Sequence, residues 1–324
     1  MTRSDKSSSP DPSIQPPHLR GAEENRTTEP ASDDASNEHF DLTYWDPPEG
    51  LEKYILTMFD LQREADIVDD LHPGTTGQLF VLAAGHGSAQ FGNREDKVEV
   101  GPILFNAFEV AVPYRTYGPW RCFGVSFSPY GWAALTQAPL NEYGNRFMEA
   151  EELLGDEINR LSDSLIQRCL NEEISGFEAC LEIAEWIRPR LRAIPDSHEI
   201  VIARTVEWLG TSLNPPVEGL FEGLPYSRRQ IERLVLRYFG FTPRALSRKF
   251  RAVRAANLLA QPNLTDEGEA EIAEAFADQS HMIREIRRYC GYTPTRLGGN
   301  DDPMFQQLLR LKNLDRLDGF RTIG

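Results

Sequence analysis

The stretch Ser227–Phe239, SRRQIERLVLRYF, decides how this chain is read. Ile231, Leu234, Val235 and Tyr238 recur at spacings of three and four, which places them on one buried stripe of a helix. Arg229, Glu232, Arg233 and Arg237 fall on the opposite face. Ser227 is a good N-cap, and Gly240 with Pro243 close behind is a good C-terminal stop. Val217–Leu224 reads as a preceding helix, joined through a tight turn at Pro225. The predicted unit is a helix, a turn and a second helix with an apolar back and an arginine-rich front.

A second copy lies about fifty residues further on. Asp278–Tyr289, DQSHMIREIRRY, puts Met282, Ile283 and Ile286 on one face with Cys290, and His281, Arg284 and Arg288 on the other. It too ends in Gly291 and Pro294. YFGFTP at 238–243 and YCGYTP at 289–294 are near-duplicates at equivalent points of two helices. Such a repeat is more specific than any one charged helix. Between the copies runs a predicted long helix, Arg244–Ala260.

The charge supports a polyanion as partner. The net charge is −16, which by itself argues against nucleic acid. Yet residues 196–298 carry 14 Lys and Arg against 13 Asp and Glu, so the excess negative charge lies elsewhere. Within Ser227–Arg254 nine basic residues (Arg228, Arg229, Arg233, Arg237, Arg244, Arg248, Lys249, Arg251 and Arg254) face a single acid, Glu232. That is an electrostatic footprint for phosphates.

With these motifs on the page, the chain resembles the AraC/XylS family of transcription regulators. The first unit matches the family pattern at Ser227, Arg229, Ile231 and Arg233, then Gly240, Thr242 and Pro243, then Arg251, Arg254, Ala255, Leu258 and Leu259. The second matches at Phe276, Asp278, Gln279, Ser280, His281, Arg284, Gly291, Thr293 and Pro294. The resemblance implies double-stranded DNA as partner. Arg229, Glu232 and Arg233 would meet base edges from the first unit; Gln279, Ser280, His281 and Arg284 would do so from the second. The chemistry agrees: Arg suits guanine, Gln adenine, and Glu accepts from cytosine. Arg228, Arg237, Arg248, Arg251, Arg254, Arg287 and Arg288 suit phosphate contacts, which position without specifying.

The lead-in to the second unit departs from the pattern. Only Glu274 and Ala275 separate Ile272-Ala273 from Phe276, and Ala275 stands where the family has a turn glycine. A positive φ there would cost an alanine roughly 1 kcal/mol. Glu267, Glu269, Glu271 and Glu274 also crowd this helix. An alternative reading is therefore an interaction protein whose second helix-turn-helix has fallen out of use.

The expected organisation is α+β and multidomain. Residues 1–39 form a polar tail expected to be disordered, 40–195 a sensor and dimerisation domain, 196–298 the all-α double helix-turn-helix domain, and 299–324 an extension with a short helix around Met304–Leu314. Tyr54–Phe59, Gln78–Ala83 and Ile103–Val112 read as strands of an antiparallel sheet or small barrel. Met148–Cys169 and Phe177–Leu191 read as helices. His72-Pro73-Gly74 and the run Gly124–Leu135 resemble the cupin-like front domain of one branch of the family, with trailing helices that mediate dimerisation. Tyr114, Trp120, Phe127 and Trp132 are the candidate aromatic lining of a pocket for a small-molecule effector. His72 and His86 read as loop histidines; without an HxH pair the domain is not expected to be a metalloenzyme, nor to need a cofactor. Cys122, Cys169, Cys180 and Cys290 have no metal-ligand spacing and read as buried thiols. No run of about 18 apolar residues occurs, so the expected setting is cytoplasmic. The family resemblance implies a homodimer, with RNA polymerase as a further partner.

Overall fold

A computed structural model describes residues 25–27, 39–260 and 264–297. The expected C-terminal helix at Met304–Leu314 lies outside the described residues, as does most of the expected disordered tail. Within that tail, Asn25–Thr27 forms a strand, β1, paired with Leu42–Tyr44.

The described strands make one antiparallel sheet: β2 (His39–Trp45), β3 (Ile55–Glu64), β4 (Ile67–His72), β5 (Gly77–Phe91), β6 (Arg94–Val98), β7 (Gly101–Phe105), β8 (Val112–Phe127) and β9 (Phe147–Glu149). The order is β1-β2-β3-β8-β5-β7-β9, with β4 on the first half of β8 and β6 on the second half of β5. The two longest strands, β5 and β8, curl together, and their register shifts twice between Leu82 and His86. Gly85 there has φ +88°, and a Cβ on it would lie 2.9 Å from the Pro119 carbonyl oxygen. Such bulges close a sheet towards a barrel. Alternation separates the two faces. Leu79, Val81, Phe123 and Val125 pack outward against helices; Phe80, Leu82, Phe105 and Cys122 pack inward.

One expected strand and one expected helix change, and one strand was not foreseen. The run expected at Ile103–Val112 stops at Phe105, and β8 starts at Val112 after a loop. β4 is polar enough (IVDDLH) to escape a hydrophobicity reading, and it lies at an edge where Asp69 and Asp70 stay accessible. The helix expected from Met148 begins later. Met148 pairs with Leu104 in β9, α3 is the short Glu151–Leu154 turn, and Gly155 at φ +78° breaks the chain before α4 (Glu157–Leu170). Ahead of these lie α1 (Pro129–Thr136), capped by Ser128, and α2 (Leu140–Tyr143). α5 (Gly176–Ile187) follows a Ser175–Glu178 capping box and lies on the outer sheet face, with Ile183, Ala184 and Ile187 buried.

The C-terminal part is helical: α6 (Asp196–Gly210), α7 (Val217–Phe221), α8 (Arg228–Phe239), α9 (Pro243–Ala260), α10 (Asp266–Ala275), α11 (Gln279–Cys290) and α12 (Pro294–Leu297). One cluster joins Trp208, Leu209, Leu220, Ile231, Val235 and Leu246; another joins Ala252, Val253, Ala256, Ile272, Ile286 and Cys290. α9 thus serves both, with Leu246 in the first unit and a small-residue stretch admitting α11 to the second. Each buried aliphatic side chain contributes about 1.5–3 kcal/mol, so the α8 stripe alone outweighs the helix's charged front. The lead-in carries no strain: Ala275 is the last helical residue and Phe276 is extended at φ −122°. The expected alanine cost is absent because the turn here needs no positive φ.

Candidate nucleic-acid interface and sensor cavity

α8 starts at a full capping box. Ser227 Oγ accepts the Gln230 amide at 3.4 Å, and Gln230 Oε1 accepts the Ser227 amide at 2.9 Å. It ends at Gly240 in the left-handed conformation, φ +77°. α11 repeats the scheme: Asp278 Oδ1 accepts the His281 amide at 2.8 Å, and Gly291 closes the helix at φ +90°. In both, a left-handed glycine stops the helix where any side chain would be strained. Arg228, Arg229, Arg233 and Arg237 are exposed on α8, and Gln279, Ser280, Arg284, Arg287 and Arg288 on α11. Glu232 is half-buried and accepts from Arg228 Nε at 3.1 Å. His281 is half-buried too, with Nε2 3.3 Å from Glu285 Oε1 and its ring against Phe276.

Two expected phosphate contacts are structural instead. Arg251 is 8% exposed. It donates to Glu285 through Nε (3.0 Å) and Nη2 (2.5 Å), and to Asn214 Oδ1 and the Ala275 carbonyl through Nη1. Arg254 is half-buried and holds the carbonyls of Leu209 and Ser212. Both side chains help join α6, α9, α10 and α11, and Arg251 is too buried to reach a duplex. Arg248 is exposed and pairs with Glu285 at 2.8 Å. Burial would raise the Glu285 carboxyl, but the hydrogen bonds from Arg251 and Arg248 hold it below the ordinary value. Glu285 was missed by sequence reasoning; the signal is a lone acid beside Ile286 in an otherwise basic helix. Lys249 also leaves the charge footprint, since it is 2% exposed. The remaining exposed cations of Ser227–Arg254 are Arg228, Arg229, Arg233, Arg237, Arg244 and Arg248.

Residues 220–299 match a family model described as a helix-turn-helix domain. The C-terminal part of this chain is a helix-turn-helix domain. No curated protein matches the chain. Among solved structures, the chain is similar to ToxT from Vibrio cholerae O395 at 10% identity and TM-score 0.43, over 73% of this chain and 94% of that one. It is similar to unsaturated-fatty-acid-bound ToxT from Vibrio cholerae strain SCE256 at 9% identity and TM-score 0.42, covering 83% and 99%. It is also similar to the AraC-like transcriptional activator CuxR at 17% identity and TM-score 0.33, covering 75% and 89%.

In front of the helix-turn-helix domain, the inner face of the sheet lines a mainly apolar, partly open cavity of about 100 Å³, bordered by His72, Phe80, Phe105, Tyr114, Trp120 and Phe147 among others. It is smaller than the engineered cavity of roughly 150 Å³ that holds benzene. Two of the four expected lining aromatics, Tyr114 and Trp120, do border it. Phe127 and Trp132 do not: at 2% and 1% exposure they are packed between the sheet and the helices, because the strand alternation points Phe127 to the other face. Neither expected loop histidine is in a loop. His86 is exposed within β5, stacked on Tyr117 at 5.1 Å. His72 ends β4 within about 6 Å of Phe105, Phe108, Tyr114 and Phe147. Its Nδ1 accepts the Gly74 amide at 3.0 Å, which leaves the ring proton on Nε2. Burial, with Lys249 nearby, pushes its pKa down to about 3, so the ring is neutral. All four cysteines are buried and free. Among the described residues no group of His, Cys, Asp and Glu could hold a metal ion, and no helix is long and apolar enough to cross a membrane.

Proposed function

We propose that this chain is a sequence-specific transcriptional regulator that reads double-stranded DNA through α8 and α11 and takes a compact apolar effector in the cavity of its N-terminal sheet. The observation that carries this reading is the paired, similarly capped helices, each with exposed arginines and each closed by the same Gly-x-Thr-Pro turn. Both helices pack on α9, so the reading has one scaffold carrying two recognition helices. Arg229, Glu232 and Arg233 on α8, with Gln279, Ser280 and Arg284 on α11, are the proposed base readers. His281 is left out of the proposed readers, because its Nε2 faces Glu285 and its Nδ1 is buried. Arg228, Arg237, Arg248, Arg287 and Arg288 are the proposed phosphate contacts.

The test is to select bound duplexes from a random pool, then compare the native chain with Arg233→Ala on the selected site. Loss of a base-reading arginine should cost about 1–3 kcal/mol of specific binding and relax the preference at one position. Affinity and footprint identical to the native chain would remove α8 from the reading role. The affinity should also fall steeply with salt, because phosphate contacts release counterions.

A further inference from the structure

The backbone around His72 fixes its ring against the cavity. Nδ1 accepts the Gly74 amide at 3.0 Å, so the ring proton sits on Nε2. Gly74 has φ +50°, and a Cβ on it would lie 2.2 Å from Phe108 Cδ2, so the turn closes directly on the Phe108 ring. The Phe108 amide donates back to the Gly74 carbonyl at 3.0 Å. From the helical side, Lys249 Nζ donates to the carbonyls of Pro73 (3.1 Å), Gly74 (2.7 Å) and Phe108. The His72 ring stands edge-on to Phe105, with Phe108, Tyr114 and Phe147 around it. Among the described residues nothing accepts from Nε2. His72 is half-buried and borders the cavity, so the ring edge that stays accessible is a cavity edge.

A donor walled in by rings needs an acceptor, and here the acceptor has to come from the cavity's occupant. Other donors on the lining are used within the protein. Trp120 Nε1 donates to Cys122 Sγ at 3.4 Å, Gln78 Nε2 to Ser126 Oγ at 3.3 Å, and the Tyr114 hydroxyl to Asp70 Oδ2 at 3.5 Å. Charge is matched nearer solvent. Arg115 is exposed and holds Asp69 through Nε (2.6 Å) and Nη2 (2.8 Å), and the half-buried Arg63 hydrogen-bonds the Tyr114 hydroxyl beside Asp70. At the His72 end the ring is neutral and Lys249 spends its Nζ on three carbonyls. An ionised head group placed there would lose its water without gaining a counter-ion. A bare hydrocarbon would leave Nε2 unmet.

We propose that the effector is an uncharged, largely apolar molecule carrying a hydrogen-bond acceptor such as a carbonyl oxygen, and that His72 Nε2 is the group that recognises it. The proposal rests on the reading of this cavity as the effector site. His72 is then a specificity-determining residue, separating molecules of one shape by whether they present an acceptor. Because the cavity is small and partly open, the acceptor-bearing end enters and any longer part extends through the opening.

The experiment titrates probes of similar size into the nitrogen-labelled full chain and follows the His72 ring and Trp120 indole resonances by NMR. The probes are cyclopentanone, methylenecyclopentane (a methylene in place of the oxygen) and cyclobutanecarboxylate. The free ring should show the Nε2–H tautomer. Cyclopentanone should move the Nε2 resonance and bind about tenfold tighter than methylenecyclopentane, the worth of one hydrogen bond away from water. His72→Phe keeps a ring and deletes the donor, and it should bring the ketone down to the affinity of the hydrocarbon. Equal affinities in the native chain would overturn recognition by His72, as would a ketone preference that survives in His72→Phe. Tighter binding of the carboxylate than of the ketone would overturn the uncharged class. If His72→Phe fails to fold, the native ring decides, and an Nε2 shift of the same size with ketone and hydrocarbon overturns the assignment. If no probe moves either the His72 or the Trp120 resonances, the cavity is not an effector site, and that reading falls with the proposal.

Discussion

Glu285→Ala is the substitution that most directly tests how the helix-turn-helix domain is held together. Glu285 is 3% exposed and Arg251 8%. Three donated hydrogen bonds from Arg248 and Arg251 end on its two oxygens. Removing the acid leaves the Arg251 guanidinium buried with Asn214 and the Ala275 carbonyl as hydrogen-bond partners and the Phe276 ring beside it. Breaking one side of a buried pair costs about 3–5 kcal/mol, and the surviving partners place this case at the lower end. Domain stabilities are about 5–15 kcal/mol, so a large part of the margin goes. With urea slopes of about 1–3 kcal/mol/M, the unfolding midpoint should fall by about 1 M or more. Arg228→Ala is the control. It breaks an exposed pair with Glu232, worth about 1 kcal/mol or less. The double replacement Arg251→Met with Glu285→Leu should recover most of the loss, since no buried charge is left over. A drop for Glu285→Ala no larger than for Arg228→Ala would refute the view that this network joins α9 to α11.

Further outcomes follow from the same geometry. Because hydrogen bonds hold the Glu285 carboxyl below its ordinary value, its contribution is present above the unfolded carboxylate range and is lost as pH falls through the lowered native value; acid titration of the native chain should therefore show a loss of helix that Glu285→Gln does not repeat. Ser227→Ala removes a capping box and should cost about 1 kcal/mol in thermal or urea unfolding. Gly291→Ala should destabilise more than Gly240→Ala. Both positions have positive φ, costing an alanine about 1–2 kcal/mol, but only at Gly291 would the new methyl collide with Leu71; equal losses would deny that contact. The buried Lys249 has its pKa lowered from 10.5 to about 7 by desolvation, with Cys290 and Glu109 opposing and His72 close by as a neutral ring. The packing of α9 on the sheet domain favours the neutral amine, so it should tighten as pH rises from about 7 towards 10.5. Exchange at Gly74 and Phe108, corrected for its intrinsic pH dependence, should slow over that range.

Local chemistry made much of the C-terminal part legible. Ser227 and Asp278 as N-caps, Gly240 and Gly291 as left-handed stops, and the apolar stripes of α8 and α11 are rules acting within one or two turns, and the helices begin and end where those residues stand. The sheet was legible in kind but less so in extent. Met148 looked helical by spacing, yet pairing with Leu104 won, because a strand's hydrogen bonds come from residues far away in sequence. Phe127 and Trp132 looked like partners of Tyr114 and Trp120 in one pocket, yet they line a separate space on the other side of the sheet, because composition cannot say which face a strand residue takes.

The sequence by itself determined that two basic, capped helices recur with the same closing turn, since every term in that pattern is short-range. Only the tertiary structure decided which positive charges are available. Arg251 and Lys249 look like their neighbours in a run of cations. Whether a side chain meets water, a buried carboxylate or a ring of carbonyls depends on what α9 is packed against, and those partners, Glu285 and the segment Pro73–Gly74, lie 34 to 176 residues away along the chain.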